Sequence, residues 1–324
     1  MKKFINDPEN VVREMLEGME RSHRGIKVSY DPAFVYRADA PDKKVAIISG
    51  GGSGHEPLHC GYVGYGMLDA ACPGHVFTSP TPEQIMEACK TVYGDKGALF
   101  IVKNYSGDVM NFSIAKDMLN DEGYEVESTL VADDISIKEK ERRRGVGGTV
   151  FVEKIAGGAA ESGYELRDVK RVADKVADNC ASIGVALKPC ILPHTGKSNF
   201  ELGDEDMEFG IGIHGELGIE RRHIESADSI AELMFDSIKK DKNMEGKRIA
   251  LLINGMGGTP LMELYILARK ILAIGTEISE VSKALVGNYI TSLDMQGASL
   301  TVLLLDEELE SFLNAPVDTP ALRD

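Results

Sequence analysis

Three short stretches carry side chains able to do chemistry: GGGSGHEP at 50–57, KNYSGD at 103–108 and GIGIHGELG at 210–218. Each mixes glycines with an imidazole, an ammonium or a carboxylate. The first invites comparison with known glycine loops and fails each one. A dinucleotide fingerprint needs glycines at its first, third and sixth positions; counted from Gly50 the sixth is His55, and counted from Gly52 it is Pro57. A nucleophile elbow needs GxSxG, and the position two after Ser53 is His55. A phosphate loop is suggested by GKS at 196–198, but its leading position is Ile191 rather than glycine. What survives is a flexible backbone ending in an imidazole. Glycines there let a small ligand approach main-chain N–H groups. Pro57 is expected to open a helix whose N-terminal dipole faces that ligand. The bland alternative is a tight strand-to-helix turn with an incidental histidine.

Lys103 and Asp108 follow the apolar run ALFIV. Ligands of open parallel sheets sit beyond the carboxyl ends of the strands, so both are expected to share a crevice with His55. Asp108 reads either as a helix cap or as a base within reach of a substrate hydroxyl. His214 is flanked by small residues that give a ligand close access, and neutral imidazole is a nucleophile near pH 7; a lone histidine can equally be structural. His59 and His75 are the next candidates to neighbour the site, while His23, His194 and His223 carry no usable pattern.

The elements that must hold these groups alternate along the chain. VAIIS (45–49), ALFIVK (98–103) and STLVAD (128–133) read as strands. In TPEQIMEACKTV, Thr81, Pro82 and Gln84 form the pattern of an N-cap, an N1 proline and a capping-box partner. SGDVMNFSIAKDML predicts a helix with an imperfect apolar stripe of Val109, Phe112, Ile114 and Met118, and DVKRVADKVADNCASI predicts an amphipathic one. Beyond residue 183 come IGVAL, helices around SIAELMFDSI and PLMELYILARKIL, and strands in RIALLI, ALVGNYIT and LTVLLLD. The expected class is α/β: two α/β domains, 1–182 with His55 and Asp108 and 183–324 with His214, built on largely parallel or mixed sheets.

Composition removes whole classes of function. The 324 residues carry 36 basic and 52 acidic side chains, a net charge of −16. Such a surface argues against nucleic acid and against anionic membranes, both of which are bound through Lys and Arg. No apolar stretch approaches the roughly 20 residues that span a bilayer, and MKKFINDPENVVREM lacks the apolar core of a signal peptide. The five cysteines form no CxxC pair, which predicts reduced thiols in a cytoplasmic protein. KEKERRR (138–144) is expected to be a solvated helix end, with a docking patch for an acidic partner as the alternative. ELGDEDMEFG (201–210) is expected to be a solvated loop close enough to His214 to cover a site.

Taken together, SGGGSGHEP (49–57), ACPGHVFTSPTPEQI (71–85), KNYSGDVMNF (103–112), GIGIHGE (210–216) and INGMGGTP (253–260) closely resemble the substrate-binding K subunit of bacterial, phosphotransferase-system-dependent dihydroxyacetone kinase, nearly end to end. The resemblance implies phosphorylation of dihydroxyacetone. It implies that His214 holds the ketone as a covalent hemiaminal, and that His55 and Asp108 act in acid/base catalysis. It places Gly52, Ser53, Gly54, His55, Lys103 and Asp108 against the substrate. No metal or cofactor is expected on this chain. ADP or ATP with Mg is expected on a separate L subunit, recharged from phosphoenolpyruvate through an M subunit, and the K chain is expected to be a homodimer. Single-chain relatives carry an L-type domain after the K-type region, so an ending at PVDTPALRD favours the multi-subunit arrangement. Paralogues that sense dihydroxyacetone as transcriptional co-activators are the alternative, and a plain carbonyl-sugar binding protein is a third. His214 does not separate these; His55 together with Asp108 favours the enzyme.

Overall fold

The computed structural model describes residues 2–39 and 43–324. In its first unit the apolar runs pair as a mixed sheet. Helix α1 (Val11–Ser22) precedes β1 (Ile26–Tyr30) and β2 (Ala33–Arg37); then follow β3 (Ala46–Ser53), β4 (Ala70–Val76), α2 (Pro82–Val92), β5 (Ala98–Lys103), α3 (Ser106–Asp121) and β6 (Val126–Val131). The strand order is β1-β2-β4-β3-β5-β6. Strands β4, β3, β5 and β6 run parallel, while β2 is antiparallel to both β1 and β4. Apolar side chains such as Ile48, Phe100 and Val102 pack against Ile85, Phe112 and Leu119 of α2 and α3. The expected capping box of α2 is formed: Thr81 accepts from the Gln84 N–H, and Gln84 reaches back to the Thr81 N–H.

Two helices follow, α4 (Gly148–Glu161) and α5 (Leu166–Asn179). The second unit then adds β7 (Cys180–Lys188), β8 (Asp206–Phe209), β9 (Glu220–His223), α6 (Ala227–Asp241), β10 (Arg248–Gly255), α7 (Leu261–Ile278), β11 (Glu280–Gly287) and β12 (Gln296–Leu305), and α8 (Glu307–Leu313) begins in it and ends in the first unit. Its sheet runs β11-β10-β12-β7-β8-β9, antiparallel except for β10 with β11. Met207, Phe209, Met234, Phe235, Leu251 and Leu300 are among its core. Mixed α/β architecture in both units agrees with the sequence reading.

The chain does not divide at a single cut after residue 182. One unit comprises 2–131, 151–175 and 311–324; the other comprises 132–150 and 176–310. The last segment belongs to the first unit, where Asp318 bridges to Tyr65 and the buried Lys154 ammonium donates to the carbonyls of Phe312 and Ala315. No period in the sequence signals such a return.

Other local expectations are also corrected. The Pro57 segment opens no α-helix; it continues into a single 3₁₀ turn over Cys60–Tyr62, so no helix dipole arises there. The buried face of α3 is Asp108, Phe112, Ala115 and Leu119, whereas Val109, Ile114 and Met118 are exposed. Helix α5 stops at Asn179, and CASI begins β7. KEKERRR is not uniformly solvated: Arg143 and Arg144 are buried and paired to Asp241 and Asp134. Likewise 201–210 is not all loop, since Asp206–Phe209 is β8 and Glu208 is buried against Arg221.

Candidate active site

Strand β3 does not stop at its apolar residues. It runs on through the glycines, pairing with β4 from Ile48 opposite Ala70 to Ser53 opposite Val76. Bare Cα atoms make this possible. A Cβ on Gly50 would lie 2.6 Å from the Cys72 carbonyl oxygen, and one on Gly52 would lie 2.6 Å from the Thr78 nitrogen. Ser53 is spent on the same pairing, its hydroxyl donating to the Gly74 carbonyl at 2.7 Å. Gly54 has φ 103° and turns the chain away, its N–H held by both carboxylate oxygens of Glu56 at 3.0 and 3.1 Å. Burial raises the Glu56 pKa above the ordinary carboxylate value. The turn delivers His55, 1% exposed, with its ring stacked on Phe77 at 5.0 Å between centroids.

Strand β5 ends at Lys103, and Asp108 sits in the first turn of α3 just beyond it. The carboxyl ends of the parallel strands therefore carry these groups, as the ligand-crevice rule predicts. Both are buried, and the Lys103 Nζ lies 3.6 Å from Asp108 Oδ2. Asp108 Oδ1 is buried without a hydrogen-bond partner among the described residues. An orphaned carboxylate oxygen is costly in a protein interior, and this one is an acceptor that a hydroxyl donor could satisfy. Lys103 is bound on its other side by His59, 2.8 Å from Nζ to Nε2. The His59 pKa lies well below the usual imidazole value, because burial, the Lys103 charge and His55 all disfavour a second proton.

In the second unit His214 occupies the turn after β8. Gly215, at φ +83°, leaves no room for a side chain: a Cβ would lie 2.1 Å from the Asn199 amide nitrogen. That amide donates to the His214 carbonyl at 3.0 Å. Glu216 grips His214 twice, accepting its backbone N–H at 3.0 Å and meeting Nδ1 at 3.1 Å. A proton on Nδ1 donated to Glu216 puts the imidazole lone pair on Nε2, the form that attacks an electrophilic carbon. Burial alone would raise the Glu216 carboxyl, but the hydrogen bond and charge of His214, with Arg144 behind, bring it down to about 2. Arg144 lies 3.8 Å from Glu216 and is itself anchored by Asp134 and Ser136.

Residues 17–321 match the Dak1 domain family. The chain belongs to the Dak1 family. It is 42% identical to the dihydroxyacetone-binding subunit DhaK of the PEP-dependent dihydroxyacetone kinase of Escherichia coli, with 99% of each chain aligned. It is 46% identical to the DhaK subunit of PTS-dependent dihydroxyacetone kinase 1 of Listeria innocua, over 99% of this chain and 100% of that one. Among solved structures, the dihydroxyacetone kinase of C. freundii in complex with AMP-PNP and Mg2+ superposes with a TM-score of 0.93 at 37% identity, over 98% of this chain and 60% of that longer one. The dihydroxyacetone kinase operon co-activator Dha-DhaQ superposes at 0.90 with 36% identity, over 95% of this chain and 96% of that one.

Within this Dak1 frame the sequence-derived residues Gly52, Ser53, Gly54, His55, Lys103 and Asp108 all fall in the first unit, and His214 in the second. His59 belongs to the Lys103 cluster, while His75 is exposed at the end of β4. Sequence reasoning missed Glu216 and Glu153. The first stands two residues after His214, inside GIGIHGE; the second is a carboxylate in the apolar run TVFVEKIAG of α4, and both positions were signals. Among the described residues no cluster of three or more His, Cys, Asp or Glu is arranged to hold a metal ion, and no helix is long and apolar enough to cross a membrane.

Proposed function

We propose that this chain is the dihydroxyacetone-binding catalytic subunit of a multi-subunit kinase. The observation that carries this reading is the buried Asp108 carboxylate, paired on one oxygen with Lys103 and vacant on the other, at the carboxyl end of a parallel sheet. An open carboxylate oxygen beside a buried ammonium can accept a substrate hydroxyl and then take up its proton. The names of the Escherichia coli and Listeria innocua relatives, aligned end to end, support the same substrate and the same division into subunits.

The Nε2 lone pair of His214 adds to the ketone carbon, the carbon–oxygen π bond opens, and the oxygen takes up a proton to give a hemiaminal. Glu216 shares the Nδ1 proton and offsets the charge that develops on the ring. Capture tests for a carbonyl, which glycerol lacks, so selectivity comes from a bond rather than from hydroxyl contacts. It also fixes the substrate, lowering the entropic cost of the next step. Asp108 accepts the proton of the terminal hydroxyl as that oxygen attacks the phosphoryl group, and His55 shares in the transfer. The donor is ATP, with Mg, held by a separate L subunit; ADP is the leaving group and is rephosphorylated in place through an M subunit from phosphoenolpyruvate, and the K chain works as a homodimer.

The test is reconstitution. With competent L and M partners, phosphoenolpyruvate and dihydroxyacetone, dihydroxyacetone phosphate forms; no product from partners shown active on another K subunit overturns the reading. A co-activator shares the fold, so capture of a transcription regulator without turnover is the outcome that would favour the alternative.

A further inference from the structure

Behind Lys103 lies a line of buried polar groups that no step above uses. Glu153 of α4 is fully buried, and its Oε1 lies 2.5 Å from His59 Nδ1. Ser49 Oγ stands 3.0 Å from the same nitrogen while donating its own proton to the Ile101 carbonyl at 2.7 Å. An ammonium only donates, so His59 Nε2 accepts from Lys103 and the ring proton sits on Nδ1, directed at Glu153. The contacts therefore form one line, Glu153 to His59 to Lys103 to Asp108. We propose that His59 and Glu153 are positioning residues, which fix the His59 tautomer so that the Lys103 ammonium is held in place beside the Asp108 carboxylate during proton transfer. The proposal rests on the reading of Asp108 as the proton acceptor.

Two further observations carry it. A lysine stem has many rotamers, so an unbraced ammonium would sample many places; here β3 is cut away to fit one of them. A Cβ on Gly51 would fall 2.1 Å from Lys103 Nζ and 3.2 Å from His59 Nε2. Glu153 is also an expensive residue to bury, and its Oε2 has no hydrogen-bond partner among the described residues. Burial pushes the Glu153 carboxyl up to about 8, with Lys103 and Ser49 opposing. The groups that face or influence this line are His55, Glu56, His59 and Cys60 from the turn after β3, Lys103 from β5, Asp108 from α3 and Glu153 from α4.

The experiment uses the full chain. Nitrogen NMR of histidine-labelled protein, with the His59 signal assigned from its loss in His59→Gln, reads the tautomer. The native chain should show the proton on Nδ1, and Glu153→Ala should show a mixture. In parallel, kcat and KM for dihydroxyacetone are measured with the partner subunits. Glu153→Ala should lower kcat about 10- to 100-fold with KM within about threefold. Glu153→Gln keeps an oxygen acceptor for Nδ1–H; it should hold near-native kcat at neutral pH and lack the inflection near pH 8 that the carboxyl is expected to give the native chain. If Glu153→Ala does not fold, the Gln variant's pH profile carries the test. An Nε2–H tautomer in the native chain overturns the proposal. So does a folded Glu153→Ala with native kcat, or a Gln variant whose inflection is unchanged. A native chain inactive with competent partners sinks the kinase reading and this role together; an active chain with any of the overturning results sinks this role alone.

Discussion

Gly51→Ala separates the site from the fold more cleanly than any change to a reactive group. The added methyl would lie 2.1 Å from Lys103 Nζ, 3.4 Å from its Cε and 3.2 Å from His59 Nε2. Both nearest partners are side-chain tips, and the ammonium ends a flexible stem that can swing aside. The folding cost is therefore expected near the lower end of the range for overpacking, about 1 kcal/mol. The functional cost is larger. A displaced ammonium gives up the 2.8 Å bond to His59 and its 3.6 Å approach to Asp108. Misplacing a positioning group by about 1 Å can cost about 10²-fold, so a loss of roughly 10- to 100-fold in kcat/KM is expected. The neighbouring Gly50→Ala is the control: its methyl meets the Cys72 carbonyl of β4 at 2.6 Å, and backbone cannot swing aside. That variant should lose about 2–3 kcal/mol of stability, several degrees in Tm. Steady-state kinetics with the partner subunits and thermal unfolding of the chain measure both. A folded Gly51→Ala with native kcat/KM, or one that loses as much Tm as Gly50→Ala, refutes the reasoning.

Other outcomes follow from the same geometry. Asp108→Asn should lower kcat about 10²- to 10⁴-fold, the usual range for a general base, while dihydroxyacetone binding measured by calorimetry persists. Glu216 has its carboxyl depressed from 4.5 to about 2, so its contribution to stability is full above pH 4.5 and is lost as pH falls toward 2. Denaturation across that window should show the loss in the native chain and a smaller one in Glu216→Gln. All five cysteines are buried and unpaired in disulfides, and burial raises Cys60, Cys72, Cys89 and Cys180 above the ordinary thiol value. A thiol reagent at mildly alkaline pH should therefore titrate five cysteines only after urea is added; rapid reaction of the native chain would contradict the packing.

Much of this was legible from residue order, for reasons that differ by element. The capping box at Thr81 and Gln84 is local chemistry, so the sequence alone shows it. ALFIV is apolar because β5 lies inside a sheet, and the strand's bounds, Ala98 to Lys103, were read correctly at both ends. The glycines were misplaced: they read as a loop after the strand, yet they pair with β4, because intrinsic preference yields to the ladder beside it. The face of α3 was misread because Asp108, a carboxylate, points inward with Phe112 and Leu119 while Ile114 and Met118 face out. No hydrophobicity pattern foresees a buried acid. Glu153 is hidden for a related reason: its partner, His59, comes from a turn about a hundred residues earlier. The arginines of KEKERRR read as solvated because nothing near them in sequence announces Asp241.

The claim that a ketone is captured by His214 is tested most directly by a crystal of this chain soaked with dihydroxyacetone. Continuous density should join the His214 imidazole, at Nε2, to a tetrahedral ligand carbon. A planar, unattached ligand, or one bound away from His214, would contradict the account.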